Sequence, residues 1–297
     1  MTPRRIHMNE RGISVVLGSY NRKRFLQKTI RSIRDELKVL QRPSEIIVID
    51  GGSTDGTVAW LTKQKDIIAL VQHNRGSWQG KEIERRSWGY FMNLGFKCAQ
   101  GKYICMLSDD CVFISGSLKK GYDRFEQLLS QGKKVGALAF YWRDWPRFKR
   151  YYVVTVRGCL YLNHGLYLRT ALGEIRYINE DDYQFYCADV DLSLRLQEAG
   201  FVIEATQNAL IEHCKHIATR VSRQRNKKKF RQDVIHFEER WKELLAGVKY
   251  CEAGERVYAD IVPDDSIARR SFGAFYLRQR FLYALQYRFK RLCKRFS

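Results

Sequence analysis

The chain has no long apolar run. No stretch approaches the roughly 18 uninterrupted hydrophobic residues of a membrane-spanning helix, so none is predicted among its 297 residues. The basic opening, Met1 to Glu10, is not followed by an apolar run of signal-peptide length, which points to a cytoplasmic protein. There is no Cys-x-x-Cys pair either. The 8 cysteines, at positions 98, 105, 111, 159, 187, 214, 251 and 293, lie mostly in apolar segments. They read as reduced core thiols, and a disulfide scaffold is excluded. No internal repeat and no nucleic-acid-binding motif is visible, and the aromatics form no recognisable base-stacking platform. Acidic residues are scarce: 32 Asp+Glu stand against 53 Lys+Arg, a formal charge of +21. That excess calls for an anionic partner without naming it. Hydrophobic residues at 45% and aromatics at 13% exclude a collagenous or disordered chain.

What is present is a regular alternation. Ile13–Leu17, Glu45–Ile49, Ile67–Val71, Tyr103–Leu107 and Val135–Trp142 are short apolar runs of buried-strand type. Between them, Phe25, Leu26, Ile30, Ile33 and Leu37 fall near one helical face, residues 82–99 read as mostly helical, and Leu118–Leu129 is helical again. Continuous apolar strands alternating with helices predict an α/β fold with a mainly parallel, Rossmann-like sheet covered on both faces. The second half is less regular. Strands are expected around 151–156, 158–162, 201–204 and 209–212. A helix is expected over Asp189–Ala199, stopped by Gly200, and another through Phe237 and Trp241.

In such sheets ligands bind beyond the carboxyl ends of the strands. Three polar clusters fall there: Ser19-Tyr20-Asn21, Asp50 to Asp55, and Ser108-Asp109-Asp110. If the sheet is right, they line one crevice. The last cluster supplies the oxygen ligands that Mg²⁺ or Mn²⁺ prefers; read locally, it equally suits an Asp-rich helix cap before residues 112–118. In Asp50-Gly-Gly-Ser-Thr-Asp-Gly56 the glycines permit a tight turn, Asp55 caps the next helix, and Asp50 is placed to accept a hydrogen bond from a nucleobase or ribose. On pattern alone Asp189 caps its helix, Asp191 pairs with Arg195 four residues on, and His213 is structural.

These segments together resemble a family 2 glycosyltransferase with the GT-A fold. The resemblance runs through Ile13-Ser-Val-Val-Leu-Gly-Ser-Tyr-Asn-Arg22, Ile46-Ile-Val-Ile-Asp-Gly-Gly-Ser-Thr-Asp-Gly-Thr57, and Asn93-x-Gly95 to Leu107-Ser-Asp-Asp110. It continues through Ala188-Asp-Val-Asp-Leu-Ser-Leu-Arg195 to Phe201 and His213, which is similar to the rhamnosyltransferase-like branch. It covers about residues 13–245, which defines a catalytic domain over 1–245 and a C-terminal extension over 246–297. The resemblance implies that Ser19, Tyr20, Asn21, Asp50 and Asp109 hold the nucleotide sugar. It implies that Asp110 and His213 bind Mn²⁺ or Mg²⁺ on the diphosphate, and that Asp189 is the general base of an inverting displacement. Ser108 replaces the first Asp of the family's Asp-x-Asp motif, and Ala188 stands where Glu is commoner. These two departures keep open an alternative, a catalytically inactive GT-A-like binding or scaffold module.

Two segments concentrate the positive charge. Lys215–Arg231 holds eight Lys+Arg, and is read as either a solvated loop or a flap over the diphosphate. Residues 269–297 hold nine Lys+Arg and no acid, with Phe275, Leu282, Leu285, Phe289, Leu292 and Phe296 on a helical stripe. A basic amphipathic helix of this kind fits an anionic membrane surface; the plain alternative is a helix docked on the catalytic domain. The expected partners are thus a nucleotide-diphosphate sugar, a glycan or lipid-linked acceptor and the inner membrane face, not nucleic acid. The expected product is a bacterial surface polysaccharide.

Overall fold

The computed structural model describes residues 12–214 and 220–293. In chain order the elements are β1 (Ile13–Ser19), α1 (Lys23–Leu40), β2 (Ser44–Asp50), α2 (Thr57–Leu61), β3 (Ile67–Val71), β4 (Ser77–Trp78), β5 (Lys81–Glu82) and α3 (Trp88–Cys98). Then come β6 (Tyr103–Met106), β7 (Cys111–Phe113), α4 (Ser117–Ser130), β8 (Val135–Trp145), β9 (Tyr152–Val156), β10 (Cys159–Tyr161), β11 (Gly165–Leu168), α5 (Arg169–Glu174) and α6 (Ala188–Glu198). The chain closes with β12 (Val202–Cys214), α7 (Arg220–Arg240), α8 (Lys242–Leu245), α9 (Tyr250–Ala253), β13 (Gly254–Tyr258) and α10 (Ser266–Cys293).

The sheet runs β10-β9-β8-β11-β6-β1-β2-β3, with β12 beside β8 and β7, and β13 beside β9. β6, β1, β2 and β3 are parallel. Alternate residues explain why both faces are covered. Val16, Ile47 and Ile49 share a core with Met92 and Phe96 of α3. Val15, Leu17, Ile46 and Val48 share another with Leu26, Ile30 and Ile33 of α1. α3 lies close because residue 95 is glycine: a Cβ there would stand 2.5 Å from both Ile49 and Val16 side-chain carbons.

The sheet is mixed rather than parallel throughout. β11 enters antiparallel between β6 and β8, a strand that its short Gly-Leu-Tyr-Leu run did not announce. Residues 111–113, where the cap reading of Ser108–Asp110 expects a helix over 112–118 to begin, form a buried strand against β12. The helix expected over 82–99 starts only at Trp88, where Ser87 accepts a hydrogen bond from the Tyr90 amide; a small hairpin, β4–β5, precedes it. The long β12 runs parallel to β8 with a register shift between Thr206 and Leu210. That shift decides which residues face each other at the site.

α10 docks by its N-terminal part. Ala268 and Phe272 are buried with Phe25, Val112, Trp145 and Cys214, and Phe275 meets Phe25 edge-on at 4.3 Å. Leu277 and Phe281 are exposed. No helix among the described residues is long and apolar enough to cross a membrane.

Candidate active site

The three polar clusters converge as the parallel sheet requires. The Ser19 hydroxyl donates to Asp109 Oδ2 at 2.9 Å, which joins the end of β1 to the turn after β6. Asn21, at φ 53°, accepts the Thr54 amide at 2.7 Å, while its own amide donates to Ser53 Oγ. Asp50 is fully buried. Its Oδ1 accepts the amides of Gly52 and Ser53 at 2.9 and 2.6 Å, and its Oδ2 accepts the Ser53 hydroxyl at 2.7 Å. The carboxylate therefore shapes the Asp50–Ser53 loop directly. Tyr20 lies over Gly51 and carries the Arg75 guanidinium 4.6 Å from its ring centroid. Asp55 receives the amides of Lys23 and Thr57, which fits its reading as a cap.

The sequence reading missed Arg22. Its Nη1 bridges Asp109 Oδ1 at 3.0 Å and Asp110 Oδ2 at 2.8 Å. A cation following a strand-end Tyr-Asn was the available signal. Burial pushes Asp109 above the usual carboxylate range against the pull of Arg22, and the charge of Asp110 adds to the push.

His213 completes this end of the site. Its Nε2 lies 3.2 Å from Asp110 Oδ1 and its Nδ1 2.6 Å from Asp144 Oδ1. Burial opposes the imidazolium, but the two carboxylates outweigh it and raise His213 to about 9. Asp144 was not legible in the sequence, because it faces His213 only through the parallel register of β8 and β12. On the same two strands Arg143 faces Glu212, and that pair is sealed: side-chain exposures are 1% and 0%. Arg143 also reaches Asp265, at the start of α10, at 2.9 Å.

The donors fit a divalent cation of the Mn²⁺ or Mg²⁺ type. Ligand atoms of Asp110, Cys111 and His213 lie within 4.8 Å of one another. The Cys111 thiol is held in its protonated form, pushed well above its ordinary value by burial and by Asp110. The carboxylate oxygen and the imidazole are therefore the usable donors, which suits a hard or borderline cation. Asp144 on the second imidazole nitrogen is the outer carboxylate that commonly orients a metal-binding histidine.

Asp189 sits in the first turn of α6. Its Oδ1 accepts the Val190 amide at 3.0 Å and its Oδ2 accepts Asn163 Nδ2 at 2.9 Å. Burial lifts it to about 6, with those hydrogen bonds pulling the other way. Asp191, by contrast, is fully tied into the fold. It pairs with Arg195 at 2.7 Å, as its spacing predicted, and accepts Trp241 Nε1 at 3.0 Å. The two ends of the site meet at consecutive residues. Asn163 touches Asp189, and His164 Nε2 lies 3.7 Å from Cys111 Sγ with its ring 5.8 Å from that of His213. Cα atoms of neighbouring residues are about 3.8 Å apart, so Asp189 and the Asp110–His213 pair flank one two-residue stretch of chain. His164, held down to about 3 by burial and then by His213, is neutral. The stretch Lys215–Thr219 lies outside the described residues; the rest of the basic segment, from Arg220, belongs to α7.

A half-parallel sheet with acidic side chains gathered at its strand ends, and a carboxylate–histidine pair beside them, is the arrangement of a GT-A nucleotide-sugar transferase fold. Solved structures agree at the level of fold. A mannosyltransferase from Pyrobaculum calidifontis, in complex with GDP-Man and Mn²⁺, superposes with a TM-score of 0.57 at 16% identity, covering 81% of this chain and 68% of that one. S. aureus TarS in complex with UDP-GlcNAc gives 0.52 at 14% identity, covering 76% and 66%. An uncharacterised glycosyltransferase of Mycoplasma genitalium is 29% identical over 143 residues, 46% of this chain and 43% of that protein, so the match spans less than half of either. Residues 14–152 match the model of glycosyl transferase family 2.

Proposed function

We propose that the protein is an inverting, metal-dependent glycosyltransferase. It would move a sugar from a nucleotide-diphosphate sugar to a hydroxyl of a glycan or lipid-linked acceptor, in the synthesis of a bacterial surface polysaccharide. The observation that supports this reading is the junction at Asn163–His164: Asn163 touches the half-buried Asp189, and His164 lies beside Cys111 and the His213 ring, next to Asp110.

Each chain residue then has a task. Asp110 and His213 would hold Mn²⁺ or Mg²⁺, whose chemistry is to neutralise charge gathering on the leaving diphosphate. Ser19, Tyr20, Asn21, Asp50 and Asp109 would form the walls that take up the nucleotide sugar. Arg22 adds a fixed positive charge beside the departing group. Asp189, lifted to about 6, is ionised at neutral pH yet more basic than an ordinary carboxylate. That suits it to accept the proton of the attacking hydroxyl, and one displacement from the opposite face inverts the anomeric carbon.

The positive C-terminal segment, with nine Lys+Arg and no acid over 269–297, extends this reading to the inner face of a membrane. α10 is anchored on the domain by Ala268 and Phe272, and the basic stretch beyond supplies the charge that attracts anionic lipid.

The test is release of nucleoside diphosphate from a panel of nucleotide sugars with Mn²⁺ or Mg²⁺. Metal-dependent release that disappears in Asp110→Ala supports the enzyme. Neither turnover nor binding with any donor would leave the scaffold reading in its place.

A further inference from the structure

Asn163 has no part in any motif, yet the fold invests in placing it. The turn that carries it is pinned on both sides. The Leu162 amide donates to Ser193 Oγ at 3.0 Å, and that hydroxyl donates to the Asp189 carbonyl at 2.9 Å. On the other side the His164 carbonyl accepts the Phe140 amide at 2.9 Å. Gly165 follows at φ 150°, where a Cβ would stand 2.2 Å from the Leu138 carbonyl oxygen, so the turn has one available shape. Asn163 is therefore set rigidly against α6.

Its amide is half satisfied. Nδ2 donates to Asp189 Oδ2, and because an ionised carboxylate only accepts, the amide must present its NH₂ end to it. The Oδ1 at the other end is buried and accepts no hydrogen bond from the described residues. Buried polar atoms are nearly always paired, and the exceptions tend to mark function. The groups facing Asp189 are Tyr161 of β10, Tyr167 of β11, Cys187 before α6 and Tyr250 of α9. Burial pushes each of them upward, so all are neutral at pH 7.

From this geometry we infer that Asn163 is a positioning residue for Asp189, fixing the plane of its carboxylate. The inference rests on the proposed role of Asp189 as base. The Cβ–Cγ torsion of aspartate is soft and roughly two-fold. The Val190 amide on Oδ1 and the Asp189 amide both come from the first turn of α6 and hold the carboxylate from its own helix. The contact from Asn163 to Oδ2 comes from the opposite side, on a separate pinned turn, and fixes the carboxylate plane between the two. The same contact favours the ionised form.

The experiment follows the Asp189 carboxyl carbon by ¹³C NMR in protein labelled at aspartate, with Asp189→Asn identifying its signal. Asn163→Leu keeps the volume and removes the donor. It should move the Asp189 midpoint upward by about one pH unit, the worth of one hydrogen bond to a charged group. Transfer should fall through kcat, with KM for the donor little changed. Asn163→Ser is read in the same way should the leucine variant not fold. A midpoint unmoved in the folded variants overturns the inference. Full transfer by Asp189→Asn would overturn the base assignment instead, and with it the catalytic sense of the contact.

Discussion

Arg143→Met is the most informative single change. Arg143 Nε donates to both oxygens of Glu212 at 2.9 Å and Nη2 donates to Oε1 at 2.7 Å, in a site that neither side chain leaves. Methionine removes the guanidinium and keeps the stem, so among the described residues the buried carboxylate retains the Tyr151 hydroxyl as its hydrogen-bond donor. Breaking one partner of a sealed pair costs about 3–5 kcal/mol, because the remaining charge stays desolvated. Replacing both residues by apolar ones of similar size removes that charge, so Arg143→Met with Glu212→Leu should recover most of the loss. Urea unfolding at constant slope measures both.

The pH dependence has a definite sign. Burial already holds Glu212 above the usual carboxylate range, and losing Arg143 raises it further. A folded-state value above the unfolded one destabilises as the group ionises. The deficit of Arg143→Met should therefore be small near pH 4, grow as pH rises from the parent's folded Glu212 value to the further raised value in the variant, and stay constant above it. The damage should also reach the site, since Asp144 and His213 are the next register pair on the same strands. A single variant costing under about 1 kcal/mol, or a double variant equal to the sum of the singles, would refute this account of the pair.

Three further outcomes are expected. His213, raised to about 9, is protonated at pH 7, so Mn²⁺ binding should release about one proton and tighten as pH rises toward 9; calorimetry in two buffers of different ionisation enthalpy would show no release if His213 is not a ligand. Transfer should fall as pH drops through about 6, because Asp189 works only when deprotonated; Asp189→Asn should lose about 10²- to 10⁴-fold in kcat while still binding donor in a direct binding assay. Ending the chain after Phe281 keeps the buried Ala268 and Phe272 and removes five of the nine cations; it should abolish flotation with anionic vesicles while leaving the thermal midpoint unchanged, and undiminished flotation would end the membrane reading.

The parts that could be read from residues alone are those governed by neighbours in the chain. Apolar runs of strand length, helical stripes and glycine-rich turns are local patterns, and they placed Ser19, Asn21, Asp50, Asp109 and Asp110 at strand ends. Asp191 and Arg195 could be paired because their partnership spans one helical turn. Cys111–Phe113 escaped, since three buried residues have no periodicity and become a strand only by meeting β12.

What pairs with what across the sheet lay beyond such reading. Asp144 meets His213, and Arg143 meets Glu212, across 69 positions of sequence, through a register set by an irregularity between Thr206 and Leu210. Arg22 reaches Asp109 and Asp110 only once β1 lies beside β6. Asn163 reaches Asp189 only once its turn is pinned to α6. Charge and apolar pattern travel with the residue and survive unfolding, whereas a raised carboxylate or a two-sided histidine exists only where distant strands exclude water together. Local order thus specifies the sheet and its acidic rim, and long-range register assembles the rim into a site.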